Sequence, residues 1–526
     1  MSGNGARTDA SAWPHDAAAA AARPATFALK CVLLAGMGLV FFSTYGFANW
    51  LAGRHAQVPS FAFGWEHAIP FWPWTIVPYW SIDLLYALSF FLWRWRHELL
   101  DHVKRLLTVQ VISVVCFIAW PLRFSFERPA AGGMSGALFT LLAGFDKPFN
   151  QAPSLHIGLL VVLWAVYALY ARGAWRWLLH GWFALIGISV LTTYQHHLID
   201  VPTGAAVGCF ALFLFPLRRG VGPSRSRAAD QPIAPAVLAH ARRIARRYAA
   251  LAVVFLIAAC VAIPHSPFAA LLLGWIALAV LCVAIVYWRV DAALYQKNEA
   301  GGFAWATAAL FLPTVIGMFV NSRAWTFRHA ASSPLGHSVL VGRTPTRREA
   351  RLARATAIVD LTAEMPGWAR RDPTIRYVCV PQLDLLPPTL AQLQQAVAAI
   401  ERLREQGHTV LVCCALGYSR SALTVAAWLA AHLHLDDAQA ALALLREARP
   451  QVMLRAPGVA LLQRYIDWRV QMRQEVVREA GHDGSHETPD EAPRDTPHGA
   501  RGEAPHLEAR HDETPRDPRP GPEVRP

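Results

Sequence analysis

Apolar runs recur in series at about 27–51, 74–93, 106–120, 155–170, 177–193, 201–217, 248–263, 268–288 and 303–320. A helix needs ~20 apolar residues to cross ~30 Å of hydrocarbon, where no water satisfies an unpaired backbone group. Runs in such number would overfill a soluble core, so the chain reads as an α-helical multi-pass membrane bundle. Composition agrees. Hydrophobic residues make up 54% and charged residues 16%, against about 25% charged in soluble domains. Trp65, Trp72, Trp74, Trp80, Trp93, Trp95 and Trp120 gather at run ends, as an aromatic belt would. The first run is too long for a signal-peptide core and lacks a small-residue cleavage site, so it reads as an uncleaved span.

The formal charge is +13, from 49 Lys and Arg against 36 Asp and Glu. In an apolar chain that excess marks loops kept in the cytoplasm rather than a nucleic-acid surface. Loop 94–105 holds Arg94, Arg96, Lys104 and Arg105. Loop 218–247 holds Arg218, Arg219, Arg225, Arg227, Arg242, Arg243, Arg246 and Arg247, and would also suit anionic lipid. Both are expected to face the cytoplasm, with 121–154 and the turn 194–200 on the other side. Nine spans from a cytoplasmic start would put the rest of the chain outside. Arg323 and Arg328 beyond the last run argue for inside, and Pro313 would make that run re-entrant or interfacial. The domain that follows is therefore expected in the cytoplasm.

After about Ala324 charges become frequent, and β-branched runs near 338–341, 357–361, 376–380 and 409–413 alternate with helical patterns at 390–404 and 421–432. That alternation implies an α/β domain. From about Glu479 the chain is mostly Pro, His, Arg, Asp and Glu and cannot bury a core, so a disordered tail is expected. The expected organisation is an arm at 1–24, a membrane domain at 25–220, a basic loop at 221–247, further membrane helices at 248–322, an α/β domain at 335–475 and the tail at 479–526. The eight cysteines show neither a disulfide framework nor metal-ligand spacing.

Two constellations carry chemistry. The first pairs Pro153-Ser154-Leu155-His156, at the start of the fourth run, with His196-His197-Leu198-Ile199-Asp200-Val201-Pro202-Thr203-Gly204, between the fifth and sixth. By the topology above both lie at one membrane surface, where ionisable residues are functional candidates. A neutral imidazole attacks phosphorus, a carboxylate on its other nitrogen fixes the tautomer, and a second imidazole protonates the leaving alkoxide. Asp200 lies one helical turn after His196, a contact distance if the stretch is helical. Arg123 and Arg128 share that face and suit phosphate oxygens. A metal site is disfavoured, because adjacent histidines on a helix point apart.

These motifs resemble the type-2 phosphatidic acid phosphatase superfamily, in its inositol phosphorylceramide synthase-like branch, over roughly 75–220. The resemblance implies a six-helix bundle with His196 as nucleophile, Asp200 as its orienting partner, His156 as acid and Ser154 at the phosphate. Two departures stand out: Pro121 replaces the lysine seven positions before Arg128-Pro129, and Ser189-Val190 replaces the usual Ser-Arg. Arg123 and Arg128 are thus alternative phosphate grips.

The second constellation runs from an apolar strand into a helix: Val410-Leu411-Val412-Cys413-Cys414-Ala415-Leu416-Gly417-Tyr418-Ser419-Arg420-Ser421. Such a loop aims successive N–H groups, including those near Gly417 and Ser419, at one point above a helix N-terminus. That cradle binds a phosphate dianion and favours a thiolate. Cys414 would attack phosphorus, Arg420 grip two oxygens, and Ser421 donate to the departing sulfur. Asp384, 30 positions upstream on a loop after a strand, would protonate the leaving oxygen. These pieces, with Asp360-Leu361-Thr362-Ala363-Glu364 as an early strand, resemble the dual-specificity branch of the protein tyrosine phosphatase superfamily over about 335–475, and the resemblance implies those same roles. Cys413 stands where that family has histidine, and a reversible Cys413–Cys414 disulfide is an expectation. The uncharged loop centre, Leu416 and Tyr418, points to a substrate with few phosphates.

The combined expectation is a multi-pass protein of a bacterial inner membrane. It is expected to act on lipid phosphate esters at the histidine site and on phosphomonoesters at the cysteine site, and the fusion of the two suggests a sequence. The alternative is a membrane-tethered protein tyrosine/serine phosphatase with a non-catalytic membrane half. No metal or other cofactor is required by either mechanism.

Overall fold

The computed structural model describes residues 23–217 and 233–483. The arm before Arg23, the stretch 218–232 with Arg218, Arg219, Arg225 and Arg227, and the tail beyond Asp483 lie outside those residues. Residues through Gln471 belong to one compact unit; of a second, Met472–Pro526, the part through Asp483 is helical.

Among the described residues, ten α-helices precede the sheet. They are α1 (Phe27–Ala52), α2 (Ile76–Ser89), α3 (Arg96–Ala119), α4 (Gly133–Phe145), α5 (Leu155–Ala168), α6 (Ala174–Thr192), α7 (Asp200–Leu214), α8 (Pro235–Ala262), α9 (Pro267–Arg289) and α10 (Trp305–Thr326). Seven stretches are long and apolar enough to cross a membrane by length and composition: α1, the segment Pro73–Leu92 around α2, α3, α6, α8, α9 and α10. Helices α4, α5 and α7 are shorter.

Backbone bonds sort the helix ends. At one end, Ala25 N donates to Arg94 O at 2.9 Å and the Tyr170 hydroxyl to Leu92 O at 2.9 Å. At the other, Trp72 N donates to Thr192 O at 2.9 Å and Ser154 N to Asp200 O at 3.2 Å. Helices α1–α3 and α5–α9 therefore alternate in direction. The loop expected at 121–154 instead contains α4. Arg128 and Asp146, on either side of it, are both bonded at the second end, to Thr193 O and the Tyr45 hydroxyl.

The basic loops also differ from expectation. Only Arg94 and Trp95 of 94–105 precede α3; Arg105 is buried and donates to Pro216 O at 2.7 Å, satisfying a carbonyl left open beyond α7. Arg242, Arg243, Arg246 and Arg247 sit in the first turns of α8, where Arg242 lies 3.9 Å over the Trp288 ring.

A five-stranded sheet follows, in order β1-β2-β5-β3-β4: β1 (Ser332–Gly336), β2 (Val339–Arg343), β3 (Ala357–Thr362), β4 (Arg376–Gln382) and β5 (Val410–Cys414). Only β1 is antiparallel to its neighbour. Helices α11 (Arg347–Leu352), α12 (Leu390–Glu405), α13 (Arg420–His432), α14 (Ala438–Ala448) and α15 (Ala456–Asp483) complete the domain. Both faces are covered, so the parallel strands read as continuous apolar runs. Val410, Val412 and Cys414 enter one core; Leu411 and Cys413 enter the other.

This domain sits on the first end of the bundle. Gln296, between α9 and α10, donates to Leu212 O at 3.0 Å at that end. Its neighbour Lys297 reaches into the sheet domain, 2.6 Å from Asp360 Oδ2, both side chains fully buried. Burial works against the ammonium, but the Asp360 carboxylate outweighs it and holds the Lys297 pKa above its usual value. Helix α10 leaves from the same end, through Ala304 N to Gln296 O, and returns to the sheet domain through Ser322. Both its ends are thus held on one side. That is why the alternation of nine runs does not carry the sheet domain over to the histidine end, even though α10 runs unbroken through Pro313.

Removing one partner of a buried pair strands the other. Lys297→Met should lower the stability of the detergent-solubilised chain by about 3–5 kcal/mol, read from its unfolding curve, with partial recovery in Lys297→Met/Asp360→Asn. An unchanged curve would show that the pair contributes nothing.

Candidate active sites

Strand β5 ends at Cys414 and α13 begins at Arg420, so the intervening loop closes over the strand's C-terminal edge. Gly417 N donates to Cys414 Sγ at 3.3 Å, and Ser421 Oγ lies 3.3 Å from the same sulfur. Gly417 has φ +77°, and a Cβ there would come within 2.5 Å of Gly342 C and 2.6 Å of Arg343 N. Only glycine fits both the backbone and the space. Arg449, buried, donates to Gly417 O at 3.0 Å and braces the loop from behind. Ser419 stands exposed at the rim.

Arg420 is buried, and its fork meets Glu364 at 2.6 and 3.0 Å. The same guanidinium lies 3.2 Å from Asp384 Oδ1, on the loop after β4, and donates to Gln382 O at 2.9 Å. Burial opposes its charge, but the Glu364 and then the Asp384 carboxylates raise its pKa well above the ordinary value. Cys414, Gly417, Arg420, Ser421 and Asp384 are therefore brought together. Glu364 holds the arginine, a role its strand-like sequence context does not reveal; nothing local links it to a residue 56 positions on.

Cys413 does not join them. Neighbours on a strand point to opposite faces, and Cys413 is fully buried in the core opposite to that of Cys414. Burial, then the nearby Asp360 carboxylate, push its thiol well above the usual pKa. The expected Cys413–Cys414 disulfide does not fit, because it needs both sulfurs on one side of the strand.

At the bundle's other end, His196 Nδ1 lies 3.2 Å from Asp200 Oδ2, and His196 Nε2 lies 3.0 Å from Ser154 Oγ. The contact is made across a turn rather than a helix, because α7 begins only at Asp200. Asp200 Oδ2 also accepts from His197 N at 3.0 Å. Gly204 allows the close packing: a Cβ there would lie 2.4 Å from Ser154 O. His156 stacks on Tyr79 at 4.2 Å, and its Nε2 has no hydrogen-bond partner. Arg128 donates to Thr193 O and Tyr194 O, both at 3.2 Å, so it braces the turn before His196. Arg123 is exposed at the same end.

A neighbouring relay was not anticipated. Buried His197 Nδ1 lies 3.3 Å from Glu66 Oε2, and its Nε2 lies 3.1 Å from Ser125 Oγ. Glu66 also accepts from Phe63 N at 2.7 Å and Leu198 N at 2.9 Å. The one cue was a carboxylate inside an aromatic stretch between runs. The two histidines thus face different carboxylates, and among the described residues no group of three or more His, Cys, Asp or Glu is placed to hold a metal ion.

The family model described as dual specificity phosphatase, catalytic domain, matches residues 348–467. That stretch is a dual-specificity phosphatase catalytic domain. The chain is similar to human DUSP28 (26% identity, 27% of this chain and 99% of that one, TM-score 0.25). It is also similar to a mouse putative dual specificity phosphatase (25% identity, 28% and 91%, TM-score 0.25). A third similar structure is PTPMT1 (20% identity, 27% and 99%, TM-score 0.25). No curated protein matches the chain.

In the phosphatase domain, Gly417→Ala should cost about 1–3 kcal/mol in backbone strain alone. Aryl phosphate hydrolysis should fall roughly tenfold or more, with the circular dichroism of the chain retained. Undiminished turnover would show that the loop does not depend on this glycine.

Proposed function

We propose that the protein is a membrane-embedded phosphoric ester hydrolase whose Cys414 site removes phosphate from a lipid phosphomonoester. One observation carries the reading. The loop bearing Asp384 buries Leu383 and Leu386 in the same apolar cluster as the membrane helices, while its carboxylate faces Arg420. A site beside the bundle's end suits a phosphate whose apolar tail stays in the bilayer.

The chemistry follows from the residues. Cys414 thiolate attacks phosphorus while Arg420 binds two phosphate oxygens. Asp384 gives its proton to the departing alkoxide, leaving phosphocysteine and free alcohol. The Asp384 carboxylate then takes a proton from water as that water attacks phosphorus. Sulfur leaves as thiolate, stabilised by Ser421 Oγ and Gly417 N.

At the opposite end, His196 acts as nucleophile on a lipid phosphate ester, with Asp200 fixing its tautomer and Ser154 released from Nε2 to the substrate. His156, unpartnered and in the first turn of α5, is the candidate acid. Arg123, exposed at that end, is the better candidate for the phosphate, because Arg128 is occupied. The first end carries Arg94, Arg96 and the α8 arginines, which supports a cytoplasmic phosphatase domain in a bacterial inner membrane.

Full-length protein in mixed micelles should release phosphate from a dispersed lipid phosphomonoester. Cys414→Ser should reduce this by about 10³ or more, and Asp384→Asn by about 10²–10⁴. Turnover of a phosphotyrosyl peptide but not of the lipid would favour a tethered phosphoprotein phosphatase. His196→Ala should abolish lipid phosphodiester turnover and spare the cysteine site; unchanged turnover would remove the histidine site from the account.

A further inference from the structure

Three loops build the cysteine site, and each accepts a hydrogen bond from the membrane region. Ser322 of α10 donates to Ala415 O at 2.6 Å, at the residue after the nucleophile. Lys297 donates to Thr362 O at 2.6 Å, two residues before the Glu364 that grips Arg420. Tyr287, near the end of α9, donates to Asp384 O at 3.0 Å. The Asp384 loop depends most on its foreign partners. Leu383 and Leu386 are buried against the bundle, and Leu385 between them sits at φ +61° and is half exposed. A β-carbon residue in that region is disfavoured, so neighbours must hold it there. Tyr287 is itself fixed, buried and stacked on Tyr248 at 5.8 Å.

We infer that the membrane helices are a working part of the phosphatase site, with Tyr287 the positioning residue for Asp384. This rests on the cysteine-phosphatase reading. Tyr287 touches no reacting atom. It fixes the backbone from which the acid projects, so it governs only the step in which the leaving alkoxide takes a proton. A strongly basic alkoxide needs that proton; an electron-poor phenolate hardly does.

Leaving-group dependence therefore separates positioning from mere stability. Full-length protein in detergent would be assayed with an alkyl phosphomonoester and with p-nitrophenyl phosphate. Tyr287→Phe keeps the ring and its stacking. It should lower kcat on the alkyl ester by about 10–100-fold and on the aryl ester by less than about threefold, with KM little changed on both. Asp384→Asn should show the same selectivity, more strongly. Leu386→Ala, which loosens the loop and keeps the tyrosine hydroxyl, should repeat the pattern and covers the case of a poorly folded Tyr287→Phe. Equal losses on both esters, or none on either, would overturn the inference. Cys414→Ser retaining aryl phosphate turnover would instead sink the reading on which it rests.

Discussion

An ammonium and a carboxylate, both shut off from water, join the two halves of this molecule. Separating Lys297 from Asp360 would leave one charge in an apolar interior, a cost of several kcal/mol. Asp360 is held at the same time by Thr362 N at 2.8 Å and by the Tyr377 hydroxyl. The carboxylate thus fixes the end of β3, from which the chain continues to Glu364. The pair is more than a tether: it sets where the arginine's own partner stands.

From that anchor the charges of the cysteine site follow. Arg420 faces two carboxylates with one guanidinium. Glu364 takes the fork at close range and orients it, while Asp384, more exposed and farther away, is the partner a ligand can displace. A phosphate dianion arriving at Arg420 competes with that second carboxylate. On the proposed mechanism, the displaced Asp384 is then free to face the leaving oxygen. On that reading the same crowding of carboxylates would disfavour substrates with many phosphates, and no basic side chain stands at Leu416 or Tyr418 to offset it.

What the sequence made legible was local. Cys414, Arg420 and Ser421 lie within eight residues, so a strand running into a helix through a glycine-bearing loop brings them together whatever surrounds it. Asp384 was legible because it directly follows an apolar strand. Glu364, Tyr287 and Ser322 were not, since their roles arise from tertiary contacts that no spacing encodes. Helix α4 was missed for a different reason: it is short and opens with glycines at 132, 133 and 136, which read as loop. The fate of Cys413 was legible in principle, because strand periodicity alone sends it to the face opposite Cys414. Helix α10 is long and apolar enough for a span, and only Pro313 hinted otherwise, because length and hydropathy say nothing about which side holds its ends.

The placement of those ends changes how the two candidate sites relate. The His196 turn lies where α6 ends and α7 begins, whereas the phosphatase domain is bonded to residues following α9. A bundle of such helices is about as long as a bilayer is thick. On the proposed reading, a lipid product formed at one end would meet the cysteine site only after crossing to the other leaflet. If the two reactions form a sequence, a flipping step separates them. If they do not, each proposed site would serve the leaflet it faces, and the bonds from Tyr287, Lys297 and Ser322 give the bundle a part in the cysteine site all the same.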